Sequence, residues 1–296
     1  MPVKLTTIVD NAALPGLLAE HGYSLLIESG QRKLLFDTGQ GKAFEQNAAH
    51  LNIDLSTVDV LVLSHGHYDH TGGLEHFLTQ NDHARIIYFP GTEAERFRQK
   101  ENGEMKYIGI SNQARRLLQT HAGKRLCQDL SSTGGKIFGS VGICGKIIRK
   151  SGFECVEPYF FLDSEGKKPD PIIDDASLWI DTAKGRILIC GCCHSGLVNT
   201  FMATERIAGS KNLRGVIGGL HLSGASQERI TQTITWLNKA RPDFLISAHC
   251  TGECLNQNSL SDSIRVFSSA AGQQFFIDES SGDYWFERND SLQFQD

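Results

Sequence analysis

Residues 61–73 read Leu61-Val62-Leu63-Ser64-His65-Gly66-His67-Tyr68-Asp69-His70-Thr71-Gly72-Gly73. An apolar run ends at Ser64, and three histidines and an aspartate follow within six positions. Apolar residues without polar alternation are what a strand buried on both faces looks like. A turn at its end lets His65, His67, Asp69 and His70 converge on one point. Neutral imidazole and carboxylate are donors that suit Zn²⁺, Mn²⁺ or Fe²⁺. Packed this closely without a cation, they would carry a desolvation penalty. The chain has 11 histidines in 296 residues, so three in six positions is not what an ordinary polar surface turn would hold.

Short apolar runs bounded by turn residues recur on both sides of this motif. Residues 3–10, 23–29, 33–38, 59–64, 84–90, 176–182, 186–191, 214–219 and 243–249 read as strands. Ser29-Gly30 and Ala183-Lys184-Gly185 stand where hairpin turns belong. The pattern predicts a helix over 226–240, with Ile230, Ile234, Leu237 and Arg241 on one stripe and Pro242 as its stop. Weaker helical patterns cover 72–80, 196–208 and 259–270. Hairpin-rich sheet with flanking helices predicts an α/β fold of two sheets sandwiched by helices. Residues 92–135 are more polar and less periodic, and are expected to be either an insertion forming a lid over a site or surface helix, within a single domain spanning 1–296.

Hydrophobic residues make up 40% and charged residues 21% of the chain, an ordinary balance for a globular protein. A chain this long buries roughly three quarters of its unfolded surface and needs no staples. The net charge of −5 argues against nucleic acid as the main partner, because a phosphate backbone demands a dense basic face. The first ten residues lack the cationic start and apolar run of a signal peptide, and no apolar run approaches the roughly 20 residues that span a bilayer. The expectation is a cytoplasmic protein with no membrane partner, acting on a small molecule, and open to forming a homo-oligomer. Its eight cysteines are then expected to be reduced thiols.

The His-x-His-x-Asp-His string after a hydrophobic strand resembles the signature of the metallo-β-lactamase superfamily. Leu34-Leu35-Phe36-Asp37-Thr38-Gly39 looks like that superfamily's preceding strand with its buried aspartate. Further segments are similar to one subgroup, usually described as metal-dependent hydrolases, which includes the archaeal dihydropterin–ribofuranosylaminobenzene-phosphate synthase. They are Val9-Asp10-Asn11, Glu20-His21-Gly22-Tyr23-Ser24, Gly191-Cys192-Cys193-His194-Ser195-Gly196-Leu197-Val198-Asn199, Gly218-Gly219-Leu220-His221-Leu222 and His249-Cys250-Thr251-Gly252.

The resemblance implies a four-layer αβ/βα sandwich with one or two divalent metal ions at the edge of two facing sheets. Zinc is the first expectation, with manganese or iron as alternatives. His65, His67 and a third histidine would hold one ion; Asp69, His70 and another histidine would hold the second. The histidines in matching later positions are His194, His221 and His249. His249 best matches the last ligand, and His194 stands in for a middle histidine that His76, His83 and His121 do not supply. His221 is open to two roles, ligand or acid for the leaving group. Where the superfamily often has a bridging aspartate, this chain has Cys192, either a thiolate ligand or a small buried residue. Asp37 would lie under the ligand loop and fix an imidazole by hydrogen bonding, besides capping a turn.

A metal-activated water, oriented by Asp69, would attack a small phosphoester or ester. This predicts a metal-dependent hydrolase, phosphodiesterase-like in its chemistry. A transferase-type pterin–aryl phosphate synthase and a metal-bearing binding protein with little turnover are the alternatives. Lys146 and Arg149, in a basic run, are expected to bind a substrate phosphate unless they are simply solvated. The helix starting near Gly72-Gly73 would point its positive end at an anion. Asn11 and His21 would line the pocket, and Asp174-Asp175 would order loops around it.

Overall fold

The computed structural model describes residues 2–122, 130 and 133–287. Strands in its order are β1 (Val3–Val9), β2 (Ser24–Ser29), β3 (Arg32–Phe36), β4 (Val60–Val62), β5 (Arg85–Ile87), β6 (Phe97–Gln99), β7 (Met105–Tyr107), β8 (Gly135–Phe138), β9 (Val141–Cys144), β10 (Phe160–Phe161), β11 (Ser177–Thr182), β12 (Gly185–Cys190), β13 (Leu213–Gly218), β14 (Phe244–Ser247), β15 (Arg265–Ser268), β16 (Gln274–Ile277) and β17 (Tyr284–Phe286). The helices that matter below are α1 (Lys42–His50), α2 (Tyr68–Thr71), α3 (Leu74–Gln80), α4 (Asn112–Leu117), α5 (Leu197–Ala208) and α6 (Gln227–Ala240).

Two seven-stranded sheets result, in the orders β17-β16-β1-β2-β3-β4-β5 and β15-β14-β13-β12-β11-β9-β8. Period-two alternation decides what each strand faces. Leu34, Phe36, Val60 and Val62 of the first sheet meet Leu178, Ile180, Ile187 and Ile189 of the second in one buried layer. The intervening Leu35 and Leu61 point the other way, onto Phe44 of α1, Leu74 and Phe77 of α3 and Ala114 of α4. Trp179 and Leu188 likewise turn outward, onto Leu197 of α5 and Leu237 of α6. The order of layers is therefore helix, sheet, sheet, helix, the expected four-layer αβ/βα sandwich.

Strands β3, β4 and β5 run parallel, as do β12, β13, β14 and β15. Parallel strands are buried on both faces and deliver their connecting loops to one edge. Asp37, Ser64, Cys192, His221 and His249 all lie just beyond the carboxyl ends of such strands.

Two expectations fail here. Residues 259–270 do not form a helix; Arg265–Ser268 is instead β15, paired in parallel with β14. A four-residue strand is too short for alternation to separate it from helix. On α6 the fully buried row is Arg229, Thr233 and Leu237, while Ile230 and Ile234 are only partly covered. Arg229 stays buried because its guanidinium meets Glu157 at 2.7 Å. Of the polar segment 92–135, residues 123–129 and 131–132 lie outside the described residues, Cys127 among them. What precedes them makes the hairpin β6–β7, which pairs with β10 as a third, three-stranded sheet, and α4, whose Ala114 joins the core. Among the described residues no helix is long and apolar enough to cross a membrane, and seven cysteines are free thiols.

Candidate metal centre

The loop after β4 is held from below at several points. Asp37 accepts from the Ser64 N–H at 2.7 Å and from the Ser64 hydroxyl at 2.6 Å. The same carboxylate lies 2.7 Å from His70 Nδ1, which turns His70 Nε2 toward the site. Asp174 accepts from the Gly66 N–H at 2.9 Å, and Asp175 accepts from the Ser195 N–H at 2.7 Å. Each member of this acidic pair thus fixes one histidine-bearing loop. Arg96, 1% exposed, neutralises Asp174 by direct contact and lies 3.5 Å from Asp170. Gly66 can only be glycine: a Cβ there would fall 2.1 Å from the Thr92 carbonyl oxygen. Gly191 allows the two sheets to close, since its Cβ would meet Ser64 Oγ at 2.4 Å and Asp37 Oδ2 at 2.9 Å.

These constraints gather two sets of donors. His65 Nε2 lies 2.9 Å from His67 Nδ1, and the His194 ring sits 4.8 Å from His65 and 4.9 Å from His67, centroid to centroid. One donor atom from each of the three falls within 4.8 Å of the others. In the second set, Asp69 Oδ2 lies 3.4 Å from His249 Nε2 and 3.9 Å from His70 Nε2, and the two imidazole nitrogens are 3.3 Å apart. Cys192 Sγ approaches His70 Nε2 at 3.1 Å. Asn11 orients His249, with its amide oxygen 3.1 Å from Nδ1 and its amide nitrogen donating to the His249 carbonyl at 3.0 Å. His21 stands 3.2 Å from Asp69 Oδ2.

The donors fit a divalent cation. His67 Nε2 and both ring nitrogens of His194 are buried without a hydrogen-bond partner, a state that costs free energy unless something else satisfies them. Burial, followed by neighbouring charges, holds His65, His67 and His194 well below the usual imidazole value, so they stay neutral, as ligands must. Burial would raise Asp69, but His70 and the hydrogen bonds from His21 and His249 outweigh it and keep the carboxylate ionised. Burial also works against a charged His70, yet Asp37 and Asp69 raise it to about 9, so an ion bound there would have to displace the proton on Nε2. Asp37, Cys193, His221 and His249 all have positive φ, between 48° and 61°, a strain that non-glycine residues hold only when the surroundings enforce it.

Four of these six donors, His67, His194, Asp69 and His249, line a cavity of about 450 Å³; His65 and His70 are not among its lining residues. Asn11, His21, His67, Asp69, Cys192, His194, His221 and His249 line it, as do Tyr68, Arg98, Lys106, Tyr159, Phe160 and Cys250. Lys146 and Arg149 do not. Gly145 passes under the Phe89 ring, where a Cβ would fall 2.2 Å away. The basic run therefore emerges beside Phe89, Pro90 and Ile173, around a different cavity, and Arg149 donates to the Ile172 carbonyl at 3.3 Å. The start of α3 is also turned inward, with Gly73 against the Thr38 carbonyl and the Phe44 ring. The cations facing the site are Arg98 and Lys106, on the hairpin β6–β7. Asn102-Gly103 was the available signal for that hairpin, but no signal pointed its side chains at the histidines.

A family model described as the metallo-beta-lactamase superfamily matches residues 18–121. An uncharacterized protein of Methanocaldococcus jannaschii is 32% identical over 248 residues, 83% of this chain and 89% of its own. A second protein of that organism, named 7,8-dihydropterin-6-methyl-4-(beta-D-ribofuranosyl)-aminobenzene-5'-phosphate synthase, is 30% identical over 271 residues, 84% of this chain and 88% of its own. A solved structure described as a metal-dependent hydrolase of the beta-lactamase superfamily superposes with a TM-score of 0.74 at 23% identity, covering 92% of this chain and 98% of that one.

Proposed function

Because the chain belongs to the metallo-beta-lactamase superfamily, we propose that it is a metal-dependent hydrolase acting on a small, anionic phosphoester or ester. One observation carries the reading: donors of both sets, His67 and His194 of the first and Asp69 and His249 of the second, share a cavity lining with Arg98 and Lys106. A divalent ion supplies hydroxide at neutral pH by lowering the pKa of a coordinated water to about 7.

In this reading His65, His67 and His194 hold one ion, and Asp69, His70 and His249 a second, with Cys192 beside them. Imidazole with a thiolate favours zinc; manganese or iron fit the imidazole and carboxylate donors. Asp69 remains ionised and orients the attacking oxygen. Asp37 and Asn11 fix the tautomers of His70 and His249, so that each presents Nε2. Arg98 and Lys106 pair with the substrate's negative charge, and Tyr68, Tyr159 and Phe160 offer flat faces to a ring. His221 has two roles open to it, acid for the leaving oxygen or further ligand; Glu157, 3.6 Å from its Nε2, stabilises a protonated ring in the first.

A transferase-type reading, pterin–aryl phosphate synthase, has the name of the 30% identical relative in its favour. Assays with bis-p-nitrophenyl phosphate and added Zn²⁺ or Mn²⁺ separate the two. Hydrolysis that disappears in His67→Ala supports the hydrolase. Turnover only with a dihydropterin diphosphate and an amine acceptor replaces it with the synthase. Tightly held metal with neither activity would leave a metal-bearing binding protein.

A further inference from the structure

The lining of the cavity includes a sulfur cluster that the imidazole sets leave over. Cys192 Sγ and Cys250 Sγ lie 3.5 Å apart, and a donor atom of His221 falls within 4.8 Å of both. His221 Nδ1 is buried without a hydrogen-bond partner, while its Nε2 faces Glu157. The backbone is built to hold this arrangement. The His221 N–H donates to Cys250 Sγ at 3.3 Å, the Leu220 N–H to Thr251 Oγ1 at 3.0 Å, and the Leu222 and Ser223 N–H groups to the Cys250 carbonyl at 3.1 Å. Gly219 makes room for the sulfur, since a Cβ there would lie 2.7 Å from Cys250 Sγ.

We propose that Cys192, Cys250 and His221 form a thiol-rich site of their own for a zinc-class divalent ion, next to the imidazole sets and sharing Cys192 with them. Two sulfurs each about 2.3 Å from a tetrahedral zinc sit about 3.8 Å apart, close to the separation found. Two cysteines and one histidine with an open fourth position form a donor set that zinc uses catalytically, and here all three residues line the substrate cavity. The geometry thereby points to the ligand role for His221, through Nδ1. Loading such a site would release the thiol protons of Cys192 and Cys250. A sulfur ligand must be deprotonated.

The test uses Cd²⁺ alone, titrated into the metal-stripped full chain reduced with a phosphine. The wild type should show the sulfur-to-cadmium absorbance of two thiolates. Cys250→Ser should halve that absorbance and lower bound cadmium by one equivalent. His67→Ala should lose an equivalent while keeping the full sulfur signal, so failure of the imidazole reading and failure of this one remain distinguishable. Absorbance and stoichiometry unchanged in Cys250→Ser would overturn the proposal. Should that variant fail to fold, the wild type decides by iodoacetamide labelling. Cadmium should slow alkylation of Cys250 at least tenfold in both the wild type and His67→Ala; no protection in His67→Ala overturns the site.

Discussion

Replacing Asp174 with asparagine should destabilise the protein and loosen its hold on a cation together. Arg96 and Asp174 are 1% and 0% exposed and in direct contact. Removing one partner of a buried ion pair costs roughly 3–5 kcal/mol. In Asp174→Asn the guanidinium still has Asp170 at 3.5 Å, which places the loss at the lower end, about 3 kcal/mol. For chains somewhat shorter than this one, 1 kcal/mol moves the melting temperature by about 2–4 °C, so a fall of roughly 6–12 °C follows, nearer the lower figure here. Arg96→Met should be worse, at about 5 kcal/mol, because two buried carboxylates are left facing each other. Asparagine keeps an oxygen that can accept from the Gly66 N–H, so the cation dissociation constant should rise by about tenfold, the lower end for disturbing a group that orients ligands. Circular dichroism melts and cadmium titrations of the three proteins provide the measurements. Melting temperatures that agree within error, or an Arg96→Met protein more stable than Asp174→Asn, would refute the reasoning.

His67→Ala should reduce both bound metal and activity by at least about tenfold, and elemental analysis showing wild-type metal content would count against the imidazole set. Arg98→Ala and Lys106→Ala should each raise KM for an anionic substrate by about tenfold or more, the worth of a hydrogen bond to a charged group, and leave KM for a neutral ester unchanged; equal effects on both would remove these cations from recognition. Burial lifts Asp10 from 3.8 to about 6 against the hydrogen bond from the His249 N–H. The folded state therefore holds this proton more tightly than the unfolded chain. Its contribution is present below pH 3.8 and lost as pH rises through 6, a change of about 3 kcal/mol. Denaturant titrations of metal-free wild type and Asp10→Asn across that range should show a wild-type decline that the variant lacks; parallel curves would contradict the assignment.

The legible parts of this molecule are those set by short-range pattern. Uninterrupted apolar runs marked β4, β12, β13 and β14, and the spacing after β4 marked His65, His67, Asp69 and His70 as candidates, while His194 and His249 were candidates only through the family resemblance. The place of Asp37 under the ligand loop was likewise an implication of that resemblance. What could not be read depends on packing between distant segments. Lys146 and Arg149 looked like anion binders by charge, but Gly145 passing beneath Phe89 sends them elsewhere. Arg98 and Lys106 reach the cavity only because β6 pairs with β10, more than sixty residues away in sequence. Residues 265–268 were misread because a strand of four residues carries too few alternations, and its identity rests on the neighbouring β14.

The candidate donors come from both halves of the sandwich: His65, His67, Asp69 and His70 follow β4 of one sheet, and His194 and His249 follow β12 and β14 of the other. An ion gripped by both, as proposed, would work as a clasp. The halves cannot part at that edge without first breaking its coordination. By mass action, a ligand present at a hundred times its dissociation constant adds about 2.7 kcal/mol to the folded state, and here that increment would resist one particular motion, the opening of the two sheets. Chelators should therefore soften the edge that carries the proposed site well before they unfold the chain.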